Sequence, residues 1–203
     1  ANFFFGLFIF DDLPSLRFFD CSNFQAMTFQ LDSTPVLNYL DFSNNSVFKL
    51  WLYNSPELSF LNLIGSDVFH LLIQSSKINS LDLNSSSSLQ ALQIYNNNYL
   101  SALDLSQNTA LNYIDITSCP ALTSLDLRNG NNTNVVGFHS GGNTNLQCIS
   151  VDDTAYSNAN WSTFIDNHTI FSNDCALFSS LTADFSASDS TFCQGTSVTF
   201  TDL

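Results

Sequence analysis

A short apolar motif recurs about every 21 residues along most of the chain. It has the form apolar-x-apolar and occurs in two interleaved series, so a copy begins roughly every 10 or 11 residues. The first series is Phe19-Asp20-Cys21, Leu40-Asp41-Phe42, Leu61-Asn62-Leu63, Leu81-Asp82-Leu83, Leu103-Asp104-Leu105 and Leu125-Asp126-Leu127, and the second is Phe8-Ile9-Phe10, Phe29-Gln30-Leu31, Leu50-Trp51-Leu52, Leu71-Leu72-Ile73, Leu92-Gln93-Ile94 and Ile114-Asp115-Ile116. A fixed period of this length predicts a solenoid. Solenoids offer wide surfaces, so the period favours a binding function over catalysis.

Each copy of the motif predicts a short β-strand. Alternate side chains of a strand point to opposite faces, so the two apolar positions face inward and their neighbours outward. A small polar residue recurs three positions after the last apolar residue of each motif. These residues are Asn45, Ser66, Ser86 and Asn108 in the first series and Thr34, Ser55, Ser76 and Asn97 in the second. About 10 residues per half-turn leave no room for a helix. We therefore predict a β-rich solenoid of short coils with two parallel β-sheets, whose coils stack about 4.8 Å apart.

The repeat units resemble a known class of leucine-rich repeat. LRFFDCSN and LNYLDFSNN are similar to the L-x-x-L-D-C-S-N-N unit of the short repeats in internalin-like and Bacteroidetes surface proteins, and LSALDLSQNTALNYIDITSCPALTSLDL is similar to their tandem form. The resemblance covers about residues 5–151. It implies a leucine-rich-repeat array over residues 1–151 that starts within a repeat, with polar side chains hydrogen-bonded to the turns. It does not fix a function.

The sequence beyond the array resembles two further elements. CISVDDTAYSNANWSTFIDNHTIFSNDC is similar to the segment that closes the array in secreted Bacteroidetes repeat proteins, which implies a C-terminal cap over residues 146–175. Trp161, Phe164, Ile165 and Phe171 would then cover the last coil. A linker follows at residues 176–182, and residues 183–203 resemble the first two strands of a PKD-type immunoglobulin-like domain. Because two strands do not form a sandwich alone, we expect a longer polypeptide.

Charge and hydropathy restrict the partners. The chain has four Lys and Arg residues and eighteen acidic residues, which gives a net charge of −14. Nucleic acid and anionic membrane surfaces require clustered Lys and Arg, so both are poor partners. No run of 18 apolar residues occurs, so we expect no membrane insertion. Asn2 to Phe10 (NFFFGLFIF) is interpreted as a partial repeat and not as a signal peptide, because it has no preceding positive region.

The composition, rich in Ser, Asn, Thr and Asp, suits an extracellular or cell-surface protein. The resemblance implies export by a type IX system. The five cysteines have no metal-ligand spacing. Because Cys148 and Cys175 bracket the implied cap in an oxidising compartment, we predict a disulfide between them; the alternative is two buried thiols. Cys21 is expected in the core, Cys119 lies at a ladder position, and Cys193 has no assigned partner.

Catalytic motifs are missing from the sequence. Its three histidines are far apart, and H-E-x-x-H, G-x-S-x-G and P-loop patterns do not occur, so we expect no enzyme activity and no cofactor. A column of outward acidic residues accompanies the first strand series, at Asp20, Asp41, Asp82, Asp104 and Asp126. Like charges stacked at the coil spacing repel one another. Bound calcium is one hypothesis for their relief, and a solvated face is the other.

Outward aromatic residues are the candidate ligand contacts. Phe18, Tyr39 and Phe60 occupy equivalent positions in consecutive coils beside Asp41, and Trp51 and Tyr53 lie on the second series. Exposed aromatic rows beside carboxylates are typical of sugar and protein sites, although aromatic residues also pair across strands for stability. Three tripeptides resemble the Bacteroidetes O-glycosylation signal, which implies modification at Ser33, Thr154 and Ser190.

Three functions remain open from the sequence. The first is a binding or adhesion module that recognises a protein or carbohydrate ligand through its sheet surfaces. The second is a structural subunit or stalk of a surface filament, self-assembled through the edge at Phe3 to Phe10. The third is the targeting part of a larger secreted hydrolase.

Overall fold

A computed structural model describes residues 6–176, 185–187 and 200–202. The chain divides into two compact units, Ala1–Asn173 and Asp174–Leu203. The larger unit is a β-solenoid of about eight turns with parallel sheets and little helix. This confirms the solenoid that the 21-residue period predicts.

The strands of the larger unit are short, as the motif requires. They are β1 (Leu7–Phe10), β2 (Phe18–Asp20), β3 (Gln25–Leu31), β4 (Tyr39–Asp41), β5 (Ser46–Leu52), β6 (Phe60–Asn62), β7 (Asp67–Gln74), β8 (Ala91–Tyr95), β9 (Ala102–Asp104), β10 (Tyr113–Thr117), β11 (Ser124–Asp126), β12 (Gly137–His139), β13 (Cys148–Ser150) and β14 (Ile170–Ser172). One α-helix, α1 (Thr154–Trp161), follows β13, and 3-10 turns occur at Asn132–Asn134 and Ser162–Phe164.

The second strand series forms one continuous parallel sheet in the order β1-β3-β5-β7-β8-β10-β12. The first series does not, because no strand forms at Leu81-Asp82-Leu83. It gives two sheets, β2-β4-β6 and β14-β13-β11-β9. The larger unit therefore has three parallel sheets where the sequence predicts two. The spacing of the motif changes at this point, from 21 residues between the first three copies to 20 before Leu81 and 22 after it.

Corners of the coil use left-handed backbone. Residues with positive φ recur after strands, at Asp12, Asn23, Ser33, Asn44, Asn54, Gly65, Ser75, Asn96, Ser118 and Gly142. Asn, Asp and Gly adopt this conformation at the least steric cost, which accounts for the Asn-rich spacing between motifs. At Gly65 a Cβ atom would lie 2.5 Å from Oδ1 of Asn44, so a side chain there would also require Asn44 to move.

One apolar core runs through the stacked coils, and the two predicted polar columns are buried inside it. Asn45 donates from Nδ2 to the carbonyl oxygens of Cys21 (3.0 Å), Phe42 (2.8 Å) and Ser43 (3.1 Å). In the other column the hydroxyl oxygens of Thr34 and Ser55 are 2.6 Å apart. These side chains satisfy backbone groups that the corners leave without a strand partner, and they join one coil to the next.

The last coil is covered by the segment that follows β13. Asp153 caps α1 by accepting from the N–H of Tyr156 at 3.0 Å, as expected for a helix N-cap. Trp161 at the end of α1 stacks on Phe138 of β12 with ring centroids 4.5 Å apart. Trp161 and Phe171 are buried, whereas Phe164 remains 44% exposed. Two of the four residues expected over the last coil are therefore fully covered, and Ile165 is partly so.

The smaller unit contains an antiparallel pair, β15 (Phe185–Ala187) and β16 (Phe200–Asp202). The remainder of the expected linker and immunoglobulin-like segment, together with Ser190 and Cys193, lies outside the described residues. Within the described part of the chain, no helix is long and apolar enough to cross a membrane.

Candidate ligand-binding surfaces

Phe18, Tyr39 and Phe60 form a stack on the sheet β2-β4-β6, which we call the aromatic column. The three residues pair in register across the strands. Ring centroids are 4.3 Å apart for Phe18–Tyr39 and 4.7 Å for Tyr39–Phe60, with interplanar angles of 5° and 7°. Phe18 is 59% exposed and Phe60 49% exposed. Because the inner faces cover one another, a ligand would meet ring edges along the column and ring faces only at Phe18 and Phe60.

The acidic column beside these rings closes the turns after the strands. Each side chain accepts, through Oδ1, from the backbone N–H two residues further along, at 2.9–3.1 Å; the pairs are Asp20–Ser22, Asp41–Ser43, Asn62–Ile64, Asp82–Asn84, Asp104–Ser106 and Asp126–Arg128. This is an Asx-turn, repeated in successive coils. The described residues contain no group of three His, Cys, Asp or Glu side chains arranged to hold a metal ion. The column therefore has a structural role in closing the turns of successive coils.

Asp41 is held by several donors at once. Asn62 donates from Nδ2 to both carboxylate oxygens at 3.2 Å, and the hydroxyl of Tyr39 donates to Oδ2 at 3.3 Å. Burial alone would raise the pKa of Asp41, but the hydrogen bonds from Ser43, Asn62 and Tyr39 outweigh it and lower the pKa. The carboxylate is thus charged at neutral pH and already occupied by protein donors.

Trp51 and Tyr53 form a second aromatic group, on the seven-stranded sheet. Their ring centroids are 6.4 Å apart and nearly edge-to-face at 67°. The ammonium group of Lys49 lies 4.8 Å from the centroid of Trp51, a distance suited to a cation–π contact. Burial and the charge of Lys49 lower the pKa of neighbouring His70. Because Lys49 covers one face of Trp51, this group is less open than the sequence predicts.

A polar network that the sequence did not predict lies on the same sheet, on strands β8, β10 and β12. Gln93 donates from Nε2 to the hydroxyl of Tyr95 at 2.6 Å, and that hydroxyl donates to Oδ2 of Asp115 at 3.1 Å. Burial is the main reason that the pKa of Tyr95 is raised to about 12; the hydrogen bond from Gln93 opposes this rise, and the charge and hydrogen bond of Asp115 add to it. Nδ1 of His139 lies 4.0 Å from Oδ2 of Asp115.

Two atoms of this network have no partner in the described part of the chain. Oδ1 of Asp115 and Nδ1 of His139 are both buried and make no hydrogen bond there. The two residues pair directly across β10 and β12. The sequence signal for this network was that Tyr95, Asp115 and His139 all occupy outward-facing strand positions. The register between β10 and β12 could not be obtained from the sequence, because the segment that joins these strands is longer than those between the earlier strands of the sheet.

The other site predictions have mixed outcomes. Cys148 and Cys175 are both disulfide-bonded, in agreement with the bridge predicted between them, whereas Cys21 and Cys119 are free thiols. Burial raises the pKa of Cys21 to about 12 and that of Cys119 to about 11, so neither is a reactive thiolate. Ser33 is half-buried at a left-handed corner (φ 53°), and Thr154 is the half-buried first residue of α1.

No protein-family model, curated protein or solved structure matches this chain.

Proposed function

We propose that this chain is a non-enzymatic binding module of a secreted or cell-surface protein. In this proposal the solenoid is a leucine-rich-repeat array, the segment from β13 to β14 is its C-terminal cap, and the smaller unit begins a PKD-type domain. The supporting observation for binding is the aromatic column, where three aligned rings remain accessible on a regular sheet.

The column has properties that suit recognition. Its rings are held by stacking and by the strand register, so little side-chain entropy is lost when a ligand binds. Large rigid aromatic side chains supply most of the contact energy in many interfaces. The net charge of −14 disfavours polyanionic ligands, so the ligand class is a neutral or cationic protein surface or a neutral glycan.

A glycan and protein array with the full chain tests the proposal. The informative variant combines Phe18→Ala with Phe60→Ala, because these residues present the two open ring faces. Tyr99→Ala is the matched control, since Tyr99 is 53% exposed and lies outside the column. We expect the double variant to lose binding by at least about tenfold and the control to keep it. Equal binding by both variants would show that the column is not the site.

A second candidate is a filament subunit, as the sequence also suggests. Leu7 and Ile9 on β1, the first strand of the seven-stranded sheet, are 65% and 53% exposed. Sedimentation velocity of the wild type against a Leu7→Ser, Ile9→Ser variant distinguishes this role. Concentration-dependent assembly that the variant abolishes would support the filament, whereas a monomer at all concentrations would exclude assembly through β1.

A further inference from the structure

A pocket lies where the seven-stranded sheet ends. β12 is the last strand of that sheet, and α1 with the 3-10 turn Ser162–Phe164 takes the place of a following strand. A helix is about 10 Å wide, whereas strands pair at about 4.8 Å, so a helix cannot pack as closely against the strand edge. The space left between β12 and α1 has a volume of about 310 Å³. This is at the lower end of the range for small-ligand pockets.

The backbone of Phe138 faces this space. Gly137 donates its N–H to Asn112 beside β10, and Gly141 accepts from Ser118 on the same side. Ser140 instead donates its N–H to Phe164, away from β10. Because backbone groups of a strand alternate in direction, the N–H and C=O of Phe138 point away from β10, into the pocket. The pocket therefore offers one donor and one acceptor in the spacing of a β-ladder.

The walls combine apolar surface with two polar side chains. Val136 is 86% exposed and Phe164 is 44% exposed, and both line the pocket. His139 also lines it, and because Nδ1 is buried toward Asp115, the exposed part of the imidazole carries Nε2. Asn160 donates from Nδ2 to the carbonyl of Tyr156 at 2.8 Å, which leaves its side-chain oxygen for another donor.

We propose that this pocket binds the acetamido group of an N-acetylated amino sugar. A secondary amide carries one N–H and one C=O, which complement the C=O and N–H of Phe138. The acetyl methyl group would pack against Val136 and Phe164, and ring hydroxyls would reach His139 and Asn160. Only one residue of β12, Phe138, directs its backbone N–H and C=O into the pocket, which is too short an edge for pairing with a peptide strand. The site is separate from the aromatic column and does not depend on the function proposed for it.

Isothermal titration calorimetry of the full chain with the trisaccharide of N-acetylglucosamine tests this site. The glucose trisaccharide has the same ring but no acetamido group, and an N-acetylated alanine methylamide has the amide without the sugar. Three variants complete the design: His139→Ala with Asn160→Ala removes the polar contacts, Val136→Phe fills the pocket, and Tyr99→Ala is the control at an exposed residue outside the pocket and the aromatic column.

We expect the N-acetylglucosamine trisaccharide to bind and the glucose trisaccharide not to bind. Both pocket variants should weaken the affinity by about tenfold or more, since each loses contacts in a partly desolvated site, while Tyr99→Ala leaves it unchanged. Circular dichroism verifies that the variants are folded. The proposal is wrong if the acetamido sugar does not bind, if the glucose trimer binds equally, or if the pocket variants bind as the wild type does. Tighter binding of the alanine methylamide would overturn the sugar assignment and indicate a peptide ligand.

Discussion

Replacing Asn108 with alanine tests whether the buried polar columns stabilise the solenoid. Asn108 is fully buried between two coils. Its Nδ2 donates to the carbonyl oxygens of Leu83 at 3.0 Å and Ser86 at 2.8 Å, both in the preceding coil. Its Oδ1 has no hydrogen-bond partner among the described residues. The substitution therefore removes two inter-coil hydrogen bonds and one unpaired acceptor.

The magnitude follows from those contacts. Each lost hydrogen bond costs about 1 kcal/mol, and the void left by the amide adds about 1 kcal/mol. Neither carbonyl becomes fully unpaired, because Leu83 also accepts from the N–H of Ser86 and Ser86 from that of Leu89. Removal of the unpaired Oδ1 returns about 1 kcal/mol. We expect a net loss of about 2 kcal/mol in the free energy of unfolding, or about 4–8 °C in Tm.

Urea unfolding followed by circular dichroism measures this loss. Asn98→Ala is the matched control, because Asn98 is the same residue type in a nearby coil but is exposed. Asn108→Asp sharpens the test: at neutral pH a carboxylate cannot donate to the two carbonyls, so it should destabilise more than alanine does. Hydrogen exchange would place the weakening at the coils on either side of Asn108.

An effect of Asn108→Ala within about 0.5 kcal/mol of the Asn98→Ala control would refute the reasoning. It would mean that water or backbone relaxation replaces the ladder at no cost. Equal effects of Asn108→Ala and Asn108→Asp would likewise show that donation by the amide is not the source of the stability.

Three further predictions concern the disulfide and two titrating groups. Replacing Cys148 and Cys175 with serine opens a loop of about 28 residues and should cost about 3–4 kcal/mol in thermal unfolding; an unchanged Tm would contradict it. The lowered pKa of Asp41 stabilises the fold above the unfolded pKa near 4 and is lost as pH falls through the folded value, so Asp41→Asn should flatten the acid limb of a stability–pH curve. The pKa of Tyr95 rises from 10.0 to about 12, so its contribution is lost as pH rises across that interval. Tyr95→Phe should therefore flatten the alkaline limb, and an unchanged limb would show that Tyr95 titrates normally.

The period was sufficient to predict most of the solenoid because strand alternation and core burial impose the same pattern in every coil. Leu40 and Phe42, for example, are buried as the alternation requires. The break at Leu81 was missed because the apolar motif is intact there, at Leu81-Asp82-Leu83, although no strand forms. Leu83 is still buried there although its strand does not form. The motif therefore predicts which side chains are buried more reliably than it predicts where a strand forms.

The turn-closing role of the acidic residues was not predicted, for a different reason. Asp41 and its equivalents were considered only as a stack of like charges, solvated or bound to calcium, although an Asp two residues before a turn N–H is a local turn signal. The pair of Asp115 and His139 could not be found at all. It depends on coil-to-coil register, and the irregular segment between β10 and β12 removes the repeat from which that register is obtained.

The geometry of the aromatic column separates structural from binding roles ring by ring. Tyr39 stacks on both neighbours and donates to Asp41, whereas Phe18 and Phe60 each stack on one ring of the column. A stacked aromatic pair contributes about 0.5–1.5 kcal/mol, so stability should fall most for Tyr39→Ala. Ligand binding should instead fall most for Phe18→Ala and Phe60→Ala, since only these rings present an open face. If affinity and stability fell in the same order across the three variants, the column would serve the fold and not a ligand.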